Sequence, residues 1–431
     1  MGFDMSEPGT GKTAVHLWNT ERRVKASHRK ALVLASKSLL EAAWAQDAAT
    51  FTPELRTSVA WASNRERAFK ADAQLYITNH DAAVWLAKQP RDFFSKFGHL
   101  VVDESTAYKT PGSLRSKAIV KIRQYFETCD LLSGTPTPNG ILDIWHQAYV
   151  IDLGQRLGRS FIAFRNATCD AKQVGPAANM LQWTAKLSAS DAVAARLADI
   201  SIRHMLEECV DMPERLVRTV TFDLAPKHRA IYEHMERESI VDVNERTINA
   251  VNGAVLWGKL LQIASGSVYG DGSPELVDAR RYELIGDLVE ERPHSIVVFQ
   301  WQHQRDQLIR VCEANGLSYA VIDGETSDRE RNDIVRYYQD GMFRVLLGHP
   351  KSMAHGLTLT RGEAVIWASP TINLEWWEQA NRRIYRIGQR KRTETIVVTA
   401  RDTRDQDAYD RCMGKELDAA TLLKKIKDFY A

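Results

Sequence analysis

The segment SEPGTGKT, residues 6–13, carries the residue types and spacing of a phosphate-binding loop of the Walker type. Gly9 and Gly11 permit a tight backbone, so successive N–H groups can point at phosphate oxygens. Lys12 would reach the β and γ phosphates of a nucleotide, and Thr13 would ligate Mg²⁺. A chance match in a surface turn is the alternative, but a short strand pattern precedes the loop and a helix pattern follows it. The segment therefore predicts a site for ATP and Mg²⁺.

A pair of acidic residues ends an apolar run at VVDES, residues 101–105. Nucleotide sites in α/β folds lie at the carboxyl edge of a parallel sheet, so a strand here would put both carboxylates at such a site. Asp103 would hold Mg²⁺, directly or through water, and Glu104 would polarise the attacking water. The alternative, that the pair merely caps a strand, loses weight because the phosphate loop is also present.

A third polar stretch, LLSGTPTPN at residues 131–139, again follows a strand pattern. Ser133 and Thr135 have short hydroxyl side chains that could link the Mg²⁺ site to a part of the protein that moves. Taken alone, the stretch is an ordinary passage from strand to turn in which prolines make the turn. Its significance comes from its position after the loop and the acidic pair.

These segments need a scaffold that brings strand ends together, and two blocks of the chain alternate β-rich runs with helix patterns. Runs that are apolar on both faces and separated by helices are typical of a covered parallel sheet. The first block has such runs at residues 30–36, 57–63, 74–79, 99–105 and 129–135. The second block has them at residues 295–299, 318–324, 343–348, 363–369 and 394–400. The predicted fold class is α/β, with two parallel-sheet lobes.

The stretch between the two blocks has helix patterns and one β-like piece at residues 215–224. The predicted organisation is a first lobe over residues 1–150, helical insertions with a crossover over 151–290, and a second lobe over 291–431. A chain of 431 residues suits two domains, because single cores stop growing beyond ~250–300 residues.

Composition limits the classes of protein to consider. The chain has 44% hydrophobic and 26% charged residues, and no apolar run approaches the ~20 residues that span a bilayer. It lacks the pattern of a signal peptide, and its five cysteines have no paired spacing, which favours a reducing cytosolic compartment. The net charge of +2 leaves nucleic-acid partners open. The densest basic stretch, residues 382–392, is by itself more typical of a solvated helix face.

Eight segments, taken in order, resemble the motifs of superfamily-two helicase-like ATPases, and specifically of the Snf-type (switch/sucrose non-fermenting) DNA translocases. They are SEPGTGKT, ALVLASKSLL, YITNHD, VVDESTAYK, LLSGTPTPNGILDIW, VIDGETSDRER, SMAHGLTLT and QANRRIYRIGQRKR. The last is the most telling, because glutamine–alanine, two spaced arginines and Arg-Ile-Gly-Gln are typical of that family. The resemblance implies two tandem RecA-like lobes in a compact protein of viral or bacterial type, working in the cytoplasm of a bacterial or virus-infected cell.

The resemblance also implies roles for matching residues. Arg383 and Arg386, three apart and thus on one side of a predicted helix, would approach the γ-phosphate, with Arg386 as the arginine finger. The implied catalytic residues are Glu104, Gln379, Arg383 and Arg386. The implied ATP-binding residues are Ser6, Gly9, Thr10, Gly11, Lys12, Thr13 and Gly356. Thr13 and Asp103 would be the metal ligands, and Ser133 and Thr135 the coupling residues.

Family behaviour implies duplex DNA as the partner, gripped through its phosphates without sequence specificity. Lys37, Asn79 and His80 lie in segments that resemble backbone-contacting motifs, and Lys109 is a further candidate. Two tryptophans at 376–377 suggest base stacking, but such residues more often pack a helix onto its sheet. Packing is therefore the favoured interpretation.

The chain departs from the family pattern at several places. Ser6 and Pro8 differ from the commonest form of the first loop, and His355 stands where a small or acidic residue is usual. Family members carry, upstream of the loop, a glutamine-containing segment that recognises adenine, and we expect it to be absent here. Either the sequence is a fragment, or adenine is held by something else.

Three functions remain open on sequence grounds. The first is a DNA-stimulated ATPase that translocates along duplex DNA. The second is a strand-separating DNA helicase of the same superfamily, which an unwinding assay would distinguish. The third is a non-catalytic ATP-binding scaffold, against which the presence of Lys12, Glu104 and Arg386 argues.

Overall fold

The computed structural model describes residues 2–174, 180–245, 250–268, 275–353 and 357–429. The chain forms two compact units. Unit 1 consists of Met1–Asp170, Trp183–Asp211 and Lys415–Ala431, and unit 2 consists of Ala171–Gln182 and Met212–Gly414. None of the described helices is both long and apolar enough to cross a membrane.

The first half of the chain supplies the sheet of unit 1. Its strands are β1 (Gly2–Asp4), β2 (Lys30–Ala35), β3 (Thr57–Ala60), β4 (Leu75–Asn79), β5 (Phe97–Val102), β6 (Thr128–Leu132), β7 (Cys169–Gln173), β8 (Leu181–Ala185) and β9 (Ser201–Ile202). Seven of them form a sheet in the order β3-β4-β2-β5-β6-β1-β9, and every neighbouring pair is parallel. Strands β7 and β8 form a separate two-stranded sheet.

Helices cover both faces of this sheet, which explains why its strands are apolar throughout. In β2, Leu32 and Leu34 belong to the core on one face, while Ala31, Val33 and Ala35 belong to the core on the other. The helices are α1 (Lys12–Ser27), α2 (Gln46–Phe51), α3 (Arg65–Lys70), α4 (Ala82–Leu86), α5 (Leu114–Arg123), α6 (Asp143–Asp152), α7 (Phe161–Thr168), α8 (Ala189–Leu197) and α9 (Leu206–Cys209). Short 3-10 turns lie at Lys37–Leu39, Arg91–Phe94, Ser105–Tyr108 and Ala198–Ile200, and a π-helical turn at Leu40–Ala45.

Unit 2 repeats the design with a six-stranded sheet of order β10-β17-β16-β13-β15-β14, again parallel at every pair. The strands are β10 (Arg215–Phe222), β11 (Ser267–Val268), β12 (Glu275–Leu276), β13 (Ser295–Val298), β14 (Tyr319–Ile322), β15 (Val345–Gly348), β16 (Ala364–Trp367) and β17 (Thr393–Ala400). The helices are α10 (Pro226–Glu245), α11 (Ala250–Ala264), α12 (Arg280–Glu290), α13 (Gln302–Ala314), α14 (Asp328–Asp340), α15 (Pro350–Met353) and α16 (Leu374–Asn381). The last helix, α17 (Arg404–Asp428), begins in unit 2, and its part from Lys415 onward belongs to unit 1. Strands β11 and β12 pair with each other in antiparallel fashion.

The predicted fold class, α/β with two parallel-sheet lobes, is confirmed, and a strand lies in every predicted run. The stretch between the blocks contains helices and also supplies an edge strand to each sheet. Strand β9 joins unit 1 beside β1, and β10, at the predicted β-like piece, joins unit 2 beside β17. The two-residue β9 is too short to show a periodic signal in sequence.

A buried arginine ties the carboxyl ends of two strands to a helix in unit 2. The guanidinium of Arg281 donates to the carbonyl oxygens of Ala368 at 2.7 Å and Val398 at 2.9 Å. It also donates to the carboxylate of Asp405 at 2.5 Å, and both side chains are almost fully buried. A buried charge of this kind is stable only while its partner is present.

We predict that Arg281→Met lowers the free energy of unfolding of unit 2 by about 3–5 kcal/mol, because it leaves Asp405 buried without its cation. Arg280→Ala is the matched control, since the side chain of Arg280, next to Arg281 in sequence, is 48% exposed. This variant should lower the free energy of unfolding by no more than about 0.5 kcal/mol. Thermal unfolding of both variants measures the difference. Equal losses would contradict the role given to the buried pair.

Candidate active site

The phosphate loop connects β1 to α1 in unit 1. Gly9 and Gly11 have φ angles of 92° and 83°, in the left-handed region that residues with a Cβ rarely adopt. Gly11 directly precedes α1, so the first free N–H groups of that helix open toward the loop. The ammonium of Lys12 donates to the carbonyl oxygens of Ser6 at 2.6 Å and Glu7 at 2.9 Å. The loop therefore has the backbone that phosphate binding requires, with a cation at its centre.

A segment about two hundred residues away in sequence holds the start of the loop. The backbone N–H of Met5 donates to the carbonyl of Ile202 at 2.8 Å, and the hydroxyl oxygen of Ser6 accepts from the N–H of His204 at 3.0 Å. The buried guanidinium of Arg203 donates to the Met5 carbonyl at 2.6 Å. Arg203 was not predicted, because in sequence this segment looks like the end of a helical stretch.

The acidic pair follows β5 at the same edge of the sheet. The indole N–H of Trp44 donates to Oδ2 of Asp103 at 2.8 Å, and the N–H of Glu104 donates to Oδ1 at 3.0 Å. Glu104 has φ 47° and ψ 58°, a left-handed conformation that costs a residue with a side chain about 1–2 kcal/mol. Strain of this kind clusters at functional sites. Trp44 was not predicted, since a lone tryptophan in sequence is more typical of a core.

The charges of the loop and of the acidic pair influence each other. Burial lowers the pKa of the Lys12 ammonium, and the carboxylates of Asp4, Glu104 and Asp103 oppose that shift. Burial raises the pKa of the Asp103 carboxyl, against the effects of Trp44 and Lys12. Cation and carboxylates thus share one poorly hydrated site, as a phosphate–metal complex would require.

A divalent ion at this site would depend on few protein ligands. Within the described residues, no group of three or more His, Cys, Asp or Glu side chains is arranged to hold a metal. The available donors are the Thr13 hydroxyl, at the second position of α1, and the Asp103 carboxylate. Mg²⁺ fits such a site, because it binds through one or two protein oxygens and otherwise through water and phosphate.

The strand end after β6 packs directly against the phosphate loop. The N–H of Ser133 donates to the Asp4 carbonyl at 2.9 Å, and in the described part of the chain its buried hydroxyl has no hydrogen-bond partner. A Cβ on Gly134 would lie 2.7 Å from Cδ of Pro8. Thr135 next to it is partly exposed. Pro8, a departure from the commonest loop sequence, is thus accommodated by a glycine.

In unit 2 the arginine motif differs from expectation. Helix α16 ends at Asn381, so Arg383 and Arg386 lie in the turns beyond it and not on one side of a helix. The helix ends where the side chain of Asn381 points inward to accept the indole N–H of Trp367 at 3.1 Å. Both guanidinium groups nevertheless donate to the carbonyl of Leu357, at 3.2 Å and 2.9 Å.

Two further residues of unit 2 belong to the predicted site. Gln379 is buried, and its side-chain oxygen has no hydrogen-bond partner among the described residues. Gly356 and the neighbouring His355 lie outside the described residues. The expectation that the tryptophan pair packs is confirmed for Trp377, which is buried with its ring 5.4 Å from that of Trp367.

The DNA-contact candidates lie after strand ends of unit 1, and they differ in exposure. Lys37 is exposed just after β2, and Asn79 and Lys109 are partly exposed. His80 is buried, with its ring edge-on to that of Tyr108 at 5.3 Å and its Nδ1 3.2 Å from the Tyr108 hydroxyl oxygen. Its imidazole therefore has a packing role within unit 1. Its neighbours in the motif remain candidates.

We predict that Gly134→Ala destabilises unit 1 by about 1–3 kcal/mol, because its Cβ would overlap the rigid ring of Pro8. Gly112→Ala is the matched control, since its Cβ would meet no atom within 4 Å. The double variant Pro8→Ala/Gly134→Ala should recover most of the loss in thermal unfolding. If Pro8→Ala does not restore the stability lost in Gly134→Ala, overlap with the Pro8 ring is not the cause of that loss.

Comparison with known proteins identifies the family. The SNF2-related domain matches residues 5–263, and the helicase conserved C-terminal domain matches residues 280–388. The protein p41 of Acyrthosiphon pisum secondary endosymbiont phage 1 is 28% identical, over 97% of this chain and 93% of its own length. An uncharacterized ATP-dependent helicase of Mycoplasma pneumoniae is 23% identical over 99% of this chain. The chain spans 41% of the length of that relative.

Among solved structures, the Sulfolobus solfataricus SWI2/SNF2 ATPase core in complex with dsDNA is similar with 18% identity and a TM-score of 0.43. The similarity covers 98% of this chain and 90% of that one. The SNF2-related match alone covers more than half of the chain, and the helicase match follows it in order. This chain therefore belongs to the SNF2-related family of ATP-dependent, helicase-like enzymes.

Proposed function

We propose that this chain is a motor core that hydrolyses ATP with Mg²⁺ and uses the energy to translocate along duplex DNA without sequence preference. The observation that carries the proposal is that the phosphate loop, with the Lys12 ammonium hydrogen-bonded inside it, and the acidic pair Asp103–Glu104 follow strands of the same parallel sheet at the same edge. Family membership supports ATP as the nucleotide that is hydrolysed. The expected setting is the cytoplasm of a bacterial or phage-infected cell.

In this proposal the residues of unit 1 bind ATP and activate water. Lys12 exchanges its two carbonyl partners, those of Ser6 and Glu7, for phosphate oxygens. Gly9, Thr10 and Gly11 direct backbone N–H groups at the phosphates. Thr13 and Asp103 hold Mg²⁺, which neutralises phosphate charge. Glu104 orients the attacking water and accepts its proton.

The proposal also gives a role to two arginines of unit 2, which the family resemblance matches to residues that act on the γ-phosphate. Burial lowers the pKa of the Arg386 guanidinium, and a poorly hydrated cation interacts more strongly with an anion. Arg383 and Arg386 already share one acceptor, the carbonyl of Leu357, for which phosphoryl oxygens would compete. Gln379 adds a polar group to the same motif. We assign Arg386 the role of arginine finger.

Duplex DNA is proposed as the polymer along which the protein moves. The reason is that polar side chains with access to solvent follow β2 and β4 at the sheet edge of unit 1 that carries the phosphate loop. Lys37 is exposed, and Asn79 and Lys109 are within reach of solvent. Such groups contact phosphates and sugars without reading bases. Ser133 and Thr135, between the phosphate loop and the acidic pair, are the proposed coupling residues. The buried hydroxyl of Ser133, which has no hydrogen-bond partner among the residues that the structure describes, supports that role.

We predict that Lys12→Ala weakens ATP binding, because the cation on the β and γ phosphates is lost. Glu104→Gln should bind ATP like the parent and hydrolyse it at least 100-fold more slowly, the scale of a lost general base, ~10²–10⁴. Nucleotide-binding fluorescence and phosphate release measure the two effects separately. Turnover of Glu104→Gln at the parental rate would show that the acidic pair is wrongly assigned.

We predict that Arg386→Ala leaves ATP affinity nearly unchanged and lowers DNA-stimulated phosphate release by ~10³-fold or more. The reason is that a finger acts on the charge of the transition state. Arg390→Ala is the matched control, since it is an exposed arginine of the same segment. The assay uses saturating ATP and duplexes of unrelated sequences. Equal rates for Arg386→Ala and the parent would contradict the proposal.

Two further assays separate the alternatives. A triplex-displacement assay reports movement along an intact duplex, whereas a forked duplex reports strand separation. Unwinding of the fork would favour a true helicase. Absence of phosphate release with DNA and Mg²⁺ would favour an ATP-binding scaffold.

A further inference from the structure

A cluster of ionisable side chains is buried directly beneath the phosphate loop. His16, on α1, lies between two carboxylates: its Nε2 is 3.1 Å from Oδ2 of Asp4, and its Nδ1 is 3.7 Å from Oδ2 of Asp130. The Nε2 of His99, on β5, lies 3.6 Å from the same Oδ2 of Asp130. Asp4, His16 and Asp130 are 5%, 8% and 3% exposed. None of these residues has a part in the chemistry proposed above.

The cluster is connected to the Lys12 ammonium through one residue, Ser6. Oδ1 of Asp4 accepts the backbone N–H of Ser6 at 2.9 Å. The carbonyl of the same residue, Ser6, accepts from the Lys12 ammonium at 2.6 Å. The orientation of Asp4 therefore fixes the start of the loop, and His16 is the side chain that holds Asp4.

Electrostatics explain why a histidine suits this position. Two buried carboxylates on neighbouring strands, β1 and β6, would repel each other without a cation between them. Burial lowers the pKa of His16, but the carboxylates of Asp130 and Asp4 outweigh it and raise the pKa to about 9. The pKa of His99 falls to about 4, chiefly because it is buried, so this second imidazole is neutral. Only one of the two histidines thus supplies a charge.

We infer that His16 is a positioning residue for nucleotide binding: as the cation between Asp4 and Asp130, it holds the Ser6 peptide and thereby sets where Lys12 meets the phosphates. The inference rests on the proposed function, in that the nucleotide must bind at this loop. It assigns His16 no contact with the nucleotide and no proton transfer. Its effect passes through Asp4.

The test measures binding of a fluorescent ADP derivative, mant-ADP, with Mg²⁺ at a temperature well below unfolding. His16→Gln should weaken binding about tenfold, the scale of a lost hydrogen bond to a charged group. Asp4→Ala should weaken it similarly, and Asp4→Ala/His16→Gln should be no weaker than Asp4→Ala alone, because the two residues act in series. Loss of mant-ADP binding in Lys12→Ala would show that the probe binds at this loop.

His99→Gln is the matched control, since it alters a buried histidine of the same cluster that does not touch Asp4. It is expected to lower thermal stability while keeping mant-ADP affinity within twofold of the parent. If His16→Gln and His99→Gln behave alike in both measurements, or if the Asp4 and His16 effects add, the inference is overturned. If the parent does not bind mant-ADP, or if Lys12→Ala binds like the parent, the proposed function fails and the inference with it.

Discussion

The ammonium group of Lys12 is held in a poorly hydrated place by two backbone carbonyls, with the carboxylates of the acidic pair close enough to influence its charge. Much of the surrounding structure serves to hold this cation in place. The two carbonyl groups that bind the ammonium must stay in position, because a relaxed loop would let the ammonium return to water. Rigid support of this kind is what lets a binding site favour one geometry of phosphate over others.

Support for the loop comes from three directions within unit 1. Helix α1 begins at Lys12 itself, so its axis aims free N–H groups at the loop. The strand end after β6 approaches closely enough that only glycine fits at position 134. The segment after β9 runs beside the loop, and Arg203 secures its backbone. A parallel sheet makes this possible, because all of its strands end at the same edge.

Unit 2 uses a different means to orient charged groups. Its two site arginines leave the helix and converge on one backbone carbonyl, so turn geometry sets their direction in place of helical spacing. The buried Arg281–Asp405 pair fixes the strand ends behind them.

The sequence by itself determined what depends on local pattern. Continuous apolar runs between helix patterns specify parallel strands covered on both faces, and the phosphate loop, the acidic pair and the arginine motif were recognisable from residue type and spacing. Tertiary structure decided what depends on pairing between distant segments. Arg203 meets Met5 across 198 residues, and Trp44 meets Asp103 across 59. The burial of His80 and the end of α16 at Asn381 were likewise set by packing, which outweighs local spacing. The charge of His16 exists only because folding places Asp4 and Asp130 on either side of it.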